Sequence, residues 1–136
     1  MRTRQAPARA AEKSYDVYSR DCPARLVFDR LTDKWALLVI GRLRDGALRF
    51  NCLRRGVQGV SQKVLSHTLK KLERDGLVRR RVTQATPVTV EYSLTALGVT
   101  LVDAIDSLAC WAESHMGEIE AAQRRFDAAH REAVPQ

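Results

Sequence analysis

The chain reads as a mainly helical fold with one small β-hairpin, and three observations predict it. Residues 61–75 carry apolar side chains at helical spacing between two capping residues. Residues 77–83 and 88–94 read as two strands on either side of a turn, with apolar and polar positions alternating in the second. Residues 95–116 carry a long apolar stripe, again at helical spacing. Spacings of three and four bury one side of a helix, and a spacing of two buries one side of a strand.

Taken in order, the first 20 residues hold Arg2, Arg4 and Arg9 among alanines, with no apolar period. This predicts a mobile basic leader. Cys22-Pro23 opens the folded part, because proline suits a first helical position. A helix from Pro23 to about Leu31 follows, with Leu26, Val27 and Leu31 on a short stripe. Asp33 reads as the cap of a second helix, Lys34 to Arg44. The run Trp35–Ile40 is apolar all round, so this helix is expected to be the most buried. Asp45-Gly46 ends it. Leu48 and Phe50 flank Arg49 in a strand-like piece. Asn51–Arg55 forms a brief helix, and Gly56-Val57-Gln58-Gly59 makes a turn.

Ser61 then caps the helix that runs to Asp75, and Gly76 takes the left-handed position beyond its end. Leu65, Leu69 and Leu72 share its inner side. Its outer side shows Gln62, Lys63, Ser66, His67 and Lys70, all hydrogen-bond donors with no carboxylate among them. Leu77–Thr83 and Val88–Leu94 form the hairpin, with Gln84 and Thr86 at its tip. Thr95 caps a last long helix to about Met116, where Leu97, Leu101, Ile105, Leu108 and Trp111 make one stripe. A helical extension continues from Glu118 to Ala133. The division expected is a leader at 1–20, one domain at 21–117 and an extension at 118–136.

Composition narrows the function. The chain has 136 residues, 45% hydrophobic and 29% charged, as expected of one soluble globular domain. Net charge is +7, and its distribution says more than its sum. Between Arg42 and Arg81 lie twelve Lys and Arg against Asp45, Glu73 and Asp75; from Val102 onward three Arg face seven Asp and Glu. A basic middle and an acidic end predict an anionic partner for the middle. No apolar run approaches the roughly 20 residues that span a bilayer, so no membrane partner is expected. Three widely spaced cysteines, Cys22, Cys52 and Cys110, suit a reducing cytoplasm and form no metal site. The three histidines are not clustered, no phosphate-cradling glycine loop occurs, and Ser66-His67 point apart on a helix. The chain is therefore expected to be no enzyme, with no cofactor and no metal.

A short helix, a glycine-bearing turn and a longer donor-faced helix follow helix-turn-helix order. The hairpin behind them is then a wing, and the predicted fold is a winged helix-turn-helix with terminal dimerisation helices. Double-stranded DNA is the expected partner. Gln62, Lys63, Ser66 and His67 face base edges, with Ser61 at the helix start; His67 has a second reading, as partner of a neighbouring hydroxyl. Arg49, Lys70, Lys71, Arg79 and Arg81 face phosphates, and Gln84 and Thr86 touch DNA from the wing tip. The arginine run of the wing has a plain alternative, a strand edge guarded against pairing. The apolar stripe exceeds what one small core absorbs, so Leu26, Val27, Leu101, Ile105, Leu108 and Trp111 are expected to meet a second copy. Cys22 is a candidate redox sensor, because a helix N-terminus and the neighbouring Arg20 and Arg25 favour a thiolate. Its alternative is an inert cysteine packed as a small hydrophobe. Cys110 is expected in the core.

With these residues in view, the chain resembles the HxlR-type winged helix-turn-helix regulators of bacteria, a MarR-like group. The resemblance rests on Cys22-Pro23; Lys34-Trp35; Asp45-Gly46 with Arg49-Phe50-Asn51; Ser61-Gln62-Lys63-Val64-Leu65; Asp75-Gly76-Leu77-Val78; and Val90-Glu91-Tyr92-Ser93-Leu94-Thr95 with Leu97-Gly98. It implies a homodimeric transcription factor whose 61–75 helix enters the major groove. It also implies an inverted-repeat operator and a response to a small-molecule effector or oxidant, in some members through a cysteine where Cys22 stands. The alternative is a winged-helix module that binds protein, or DNA without sequence preference. Two departures from the family pattern are Cys52 and the glycine-rich turn 56–59, which on this reading loosens the angle of the reading helix.

Overall fold

A computed structural model describes residues 14–133, and the leader expected at 1–20 lies largely outside them. The helices are α1 (Pro23–Leu31), α2 (Lys34–Arg42), α3 (Phe50–Gly56), α4 (Gln62–Arg74), α5 (Ala96–Val99) and α6 (Val102–Ala133). The strands are β1 (Leu48–Arg49), β2 (Val78–Val82) and β3 (Val90–Leu94). The expected hairpin is part of a three-stranded antiparallel sheet in the order β1-β3-β2. Leu48 pairs with Tyr92, and Arg80 pairs with Tyr92 from the other side. The short piece before α3 thus has a partner in β3, far along the sequence.

One apolar core holds the unit together. Val39 and Ile40 of α2, Leu53 of α3, Leu65, Leu69 and Leu72 of α4, and Val78 of β2 are at most 2% exposed. Fully burying a Val, Leu or Ile side chain contributes about 1.5–3 kcal/mol. These seven residues come from three helices and the sheet, so the core fixes how α4 sits against everything else. Leu48, Tyr92 and Leu94 cover the core from the inner side of the sheet.

Several expectations need correction. The second helix stops at Arg42, and its last turn tightens into a 3₁₀ turn over Leu43–Asp45. It is not buried all round. Leu38 is 48% exposed, because the core lies only on the side of Ala36, Val39 and Ile40. Asp33 occupies the cap position of α2 but makes no side-chain cap bond. The helix expected from Thr95 is two helices. Thr95 caps the four-residue α5, and the chain turns at Thr100–Leu101 before α6. Leu97 therefore stands apart from the α6 stripe and is exposed. Cys110 is exposed rather than in the core, since it lies on the side of α6 opposite Leu101 and Ile105, which pack against the core.

Candidate nucleic-acid interface

The reading helix is held at both ends. At its start the Ser61 Oγ accepts the Val64 backbone N–H at 3.0 Å, satisfying one of the donors a helix leaves open. At its end the Gly76 N–H donates to the Glu73 carbonyl, and the Leu77 N–H donates to the Leu72 carbonyl, each at 3.0 Å. Gly76 has φ 79°. That pattern is the Schellman closure, and it places glycine where a side chain would be strained. Leu65, Leu69 and Leu72 turn inward as their spacing predicts.

The outer side of α4 is an open surface lined by Gln62, Lys63, Val64, Ser66, His67 and Lys70. All six are exposed. The four expected base readers and Lys70 are thus on one accessible side of one helix. Val64 stands among them at 37% exposure. The donor pattern missed it, although an apolar residue four positions from Thr68 and one from Leu65 has nowhere to go but the flank of the buried stripe. A methyl-bearing side chain in a row of donors suits contact with a thymine methyl. Lys71 is not in this row. It lies on the same flank of the helix as Val64 but nearer the C-terminal end, beside a crevice that Asp29, Arg30 and Asp33 also line.

The turn ahead of α4 is pinned rather than loose. Val57 and Val60 are 3% and 6% exposed, and the Arg42 Nε donates to the Gly56 carbonyl at 2.7 Å. Each of the glycines at 56 and 59 is thus followed within the turn by a buried valine, and the two valines anchor the turn between α3 and α4 to the core.

The sheet adds a second basic surface. Register aligns Arg49, Glu91 and Arg81 across the three strands, and Arg79 lies beside Ser93 on the same side. This is the side away from Val78, Tyr92 and Leu94. Three exposed arginines surround one carboxylate there, and among the described residues none of them pairs with Glu91. At the wing tip the Thr83 and Thr89 hydroxyls lie 3.1 Å apart, and the Thr89 N–H donates to the Thr83 Oγ1 at 3.1 Å. These bonds clasp the loop that carries Gln84 and Thr86, both exposed.

Cys22 stands at the cap position of α1, half-buried. Its Sγ accepts the Asp16 N–H at 3.2 Å. The expected help from Arg25 is turned elsewhere, since its guanidinium donates to the Tyr18 carbonyl at 3.3 Å. Asp16 and Asp21 line the crevice around the thiol instead. Cys52 is exposed on α3, with the Arg55 Nη2 at 3.5 Å from its sulfur. Of the residues expected between copies, Leu101 and Ile105 pack against the core, whereas Leu26, Leu108 and Trp111 are 63%, 53% and 53% exposed. Val27 is half-buried. Among the described residues, no group of His, Cys, Asp and Glu is placed to hold a metal, and no helix is long and apolar enough to cross a membrane.

A capped donor-faced helix behind a pinned turn, with a basic wing beside it, defines a winged helix-turn-helix protein that binds DNA. The HxlR-like helix-turn-helix family model matches residues 30–120, and the chain belongs to that family. It is 38% identical over 107 residues to YtfH of Escherichia coli K12, an uncharacterized HTH-type transcriptional regulator, covering 79% of this chain and 85% of that one. Among solved structures it is similar to the putative transcriptional regulator ytfH from Salmonella typhimurium, with TM-score 0.75 and 38% identity, covering 82% of this chain and 99% of that one. The redox regulator HypR in its reduced form matches with TM-score 0.67 and 35% identity, over 73% of this chain and 98% of that one. The chain is a DNA-binding transcriptional regulator and not an enzyme.

Proposed function

We propose that the protein is a cytoplasmic homodimer that reads an inverted-repeat operator by laying one α4 into the major groove at each half-site. The observation that carries this is the division of α4. Its leucines are at most 1% exposed, and every residue of the opposite row is open to solvent. Gln62, Lys63, Ser66 and His67 read base edges in this proposal, and Ser61 sets the helix start. Arg49, Lys70, Arg79 and Arg81 hold phosphates, Lys71 stands at the edge of that set, and Gln84 and Thr86 reach DNA from the wing tip. Half-site centres then lie about one helical turn apart. Leu26, Val27, Leu101, Ile105, Leu108 and Trp111 meet the second copy, supported by the exposed apolar area on α1 and α6.

The test is binding to a matched operator and to scrambled DNA across a salt series. A dimer contacting about 8–10 phosphates loses about three to five decades of affinity between 50 and 200 mM salt. Equal affinity for both DNAs would leave a binder without sequence preference. The same proposal makes Cys22 a sensor of oxidant or electrophile. Its place at a helix start and the likeness to a redox regulator support this. Operator binding should weaken on diamide treatment and stay unchanged in Cys22→Ser.

A further inference from the structure

Among the described residues the core holds one buried polar side chain, Thr68 of α4, which is 6% exposed. Buried polar groups in folded proteins nearly always have a partner. Thr32 and Thr100 show the usual remedy on a helix, since each turns its hydroxyl onto the carbonyl three residues back. Thr68 does not. Its hydroxyl bonds to no other described residue, and it is not sealed from solvent, because it lines a crevice.

That crevice, of about 250 Å³, lies between α1, α2 and α4. Leu26, Ala36 and Leu72 give it an apolar lining, and Asp29, Asp33 and Lys71 are its exposed charged members. Arg30 lines it too, but its guanidinium is held by Asp75 at 2.7 Å. Asp33 is the cap residue of α2 yet makes no side-chain cap bond. Neither Asp29 nor Asp33 is in an ion pair among the described residues. Two carboxylates against one lysine leave a negative charge over. A volume below the roughly 300–1,000 Å³ of a drug-sized site limits any occupant to a small molecule. Only Leu26 of this lining belongs to the face assigned above to the second copy, and none of it to the base-reading row.

We propose that this crevice binds a small primary amine with an apolar body and a hydroxyl at its far end. The ammonium lies between Asp29 and Asp33, the body against Leu26, Ala36 and Leu72, and the far hydroxyl meets that of Thr68. Each feature of the lining then has its counterpart: the surplus carboxylate charge, the apolar walls and the partnerless hydroxyl. A plain solvated groove accounts for the aspartates, but not for a hydroxyl left without a partner among apolar side chains. An occupant there touches α1 and α4 together, so it bears on how the reading helix is carried. The site depends neither on an operator nor on a second copy, and its test uses no DNA.

The test is calorimetric titration of the full chain with three probes: tyramine; phenethylamine, which lacks the hydroxyl; and phloretate, which carries a carboxylate in place of the ammonium. Tyramine should bind, phenethylamine about fivefold more weakly for want of one hydrogen bond, and phloretate not at all. Asp29→Asn and Asp33→Asn should each weaken tyramine about threefold, as exposed ion pairs do, and Lys71→Ala should tighten it by a similar factor. Thr68→Val keeps the shape of the side chain and orphans no protein partner. It should bring tyramine down to the affinity of phenethylamine and leave phenethylamine unchanged. Absence of tyramine binding at millimolar concentration would overturn the proposal, as would phloretate binding as tightly as tyramine. Equal losses of both amines in Thr68→Val would take the hydroxyl contact away and overturn it too.

Discussion

The Arg30 guanidinium in the last turn of α1 grips the Asp75 carboxylate at the end of α4, with Nε at 2.7 Å from one oxygen and Nη2 at 3.2 Å from the other. The Asp75 side chain is only 10% exposed. The hydrogen bond to Asp75, and then its charge, raise the Arg30 pKa above its ordinary value. The pair ties the helix that begins at Cys22 to the closing residue of the helix that carries the reading surface. Two-point contact fixes angle as well as distance.

Arg30→Gln should therefore lower both the melting temperature, by a few degrees, and the affinity for a matched operator. Affinity for scrambled DNA should change less, because non-specific contacts do not need α4 at one angle. Arg30→Lys should recover part of the stability but little of the operator preference, since an ammonium cannot reproduce the planar fork. Melting curves and the two binding constants decide this. A proportional loss on both DNAs would make the pair a stabilising contact only.

On the outer row of α4, Lys63→Ala and Lys70→Ala should separate. Loss of a base-reading side chain costs about 1–3 kcal/mol at one base pair and relaxes preference there. Loss of a phosphate contact weakens all sequences alike and reduces the salt slope by about one. Lys63 is expected to show the first behaviour and Lys70 the second. Lys71→Ala should barely move the slope, because its side chain lines the crevice shared with Asp29 and Asp33 rather than the row. Titrations at three salt concentrations against an operator and its point variants read out all three.

Val64 tests whether the row sits in the major groove at all. Val64→Ala removes two methyl groups, each worth about 0.8 kcal/mol when taken from water, and should weaken binding to an operator with a thymine at the facing position. Replacing that thymine by uracil should weaken the unmodified protein by a similar amount and leave Val64→Ala nearly unaffected. Additive losses would place the thymine methyl away from Val64.

What was legible in the sequence was whatever local pattern alone decides. Ser61, Gly76 and the three leucines determined α4 to within a residue, because a cap and a periodic stripe are properties of neighbours in the chain. The second strand of the hairpin followed from the alternation over 88–94 in the same way. The β1–β3 pairing was not legible, because Leu48 and Tyr92 are distant in sequence and two residues show no period. The break between α5 and α6 was hidden for another reason. The stripe from Leu97 to Trp111 keeps helical spacing straight through it, so the turn at 100–101 leaves no mark in the pattern. Within the site, donors could be recognised by type, but that Lys71 borders a crevice with Asp29 and Asp33 could not be read before α1 was placed against α4. The setting of Cys22 was misjudged likewise. Arg25 is near it in sequence, yet its guanidinium binds a backbone carbonyl.

The junction between the wing and α5 gives the sharpest stability prediction. The Thr95 hydroxyl donates to the Gly76 carbonyl at 2.6 Å and accepts the Gly98 N–H at 3.0 Å. The Thr95 N–H donates to the Leu77 carbonyl at 3.1 Å. This brings α5 so close that a Cβ on Gly98 would fall within the contact radius of that same Leu77 carbonyl oxygen. Thr95→Ala loses a helix cap and should cost about 1 kcal/mol. Gly98→Ala adds only one methyl group, but it presses on backbone at the closure of the reading helix, where nothing can rotate away. It should cost at least the 1–3 kcal/mol typical of overpacking. At about 4–8 °C per kcal/mol for a domain this small, the two variants are separable by calorimetry, with Gly98→Ala melting lower. If Gly98→Ala melted with the unmodified protein, α5 would have to ride free of Leu77, and the end of α4 would lose the support described above.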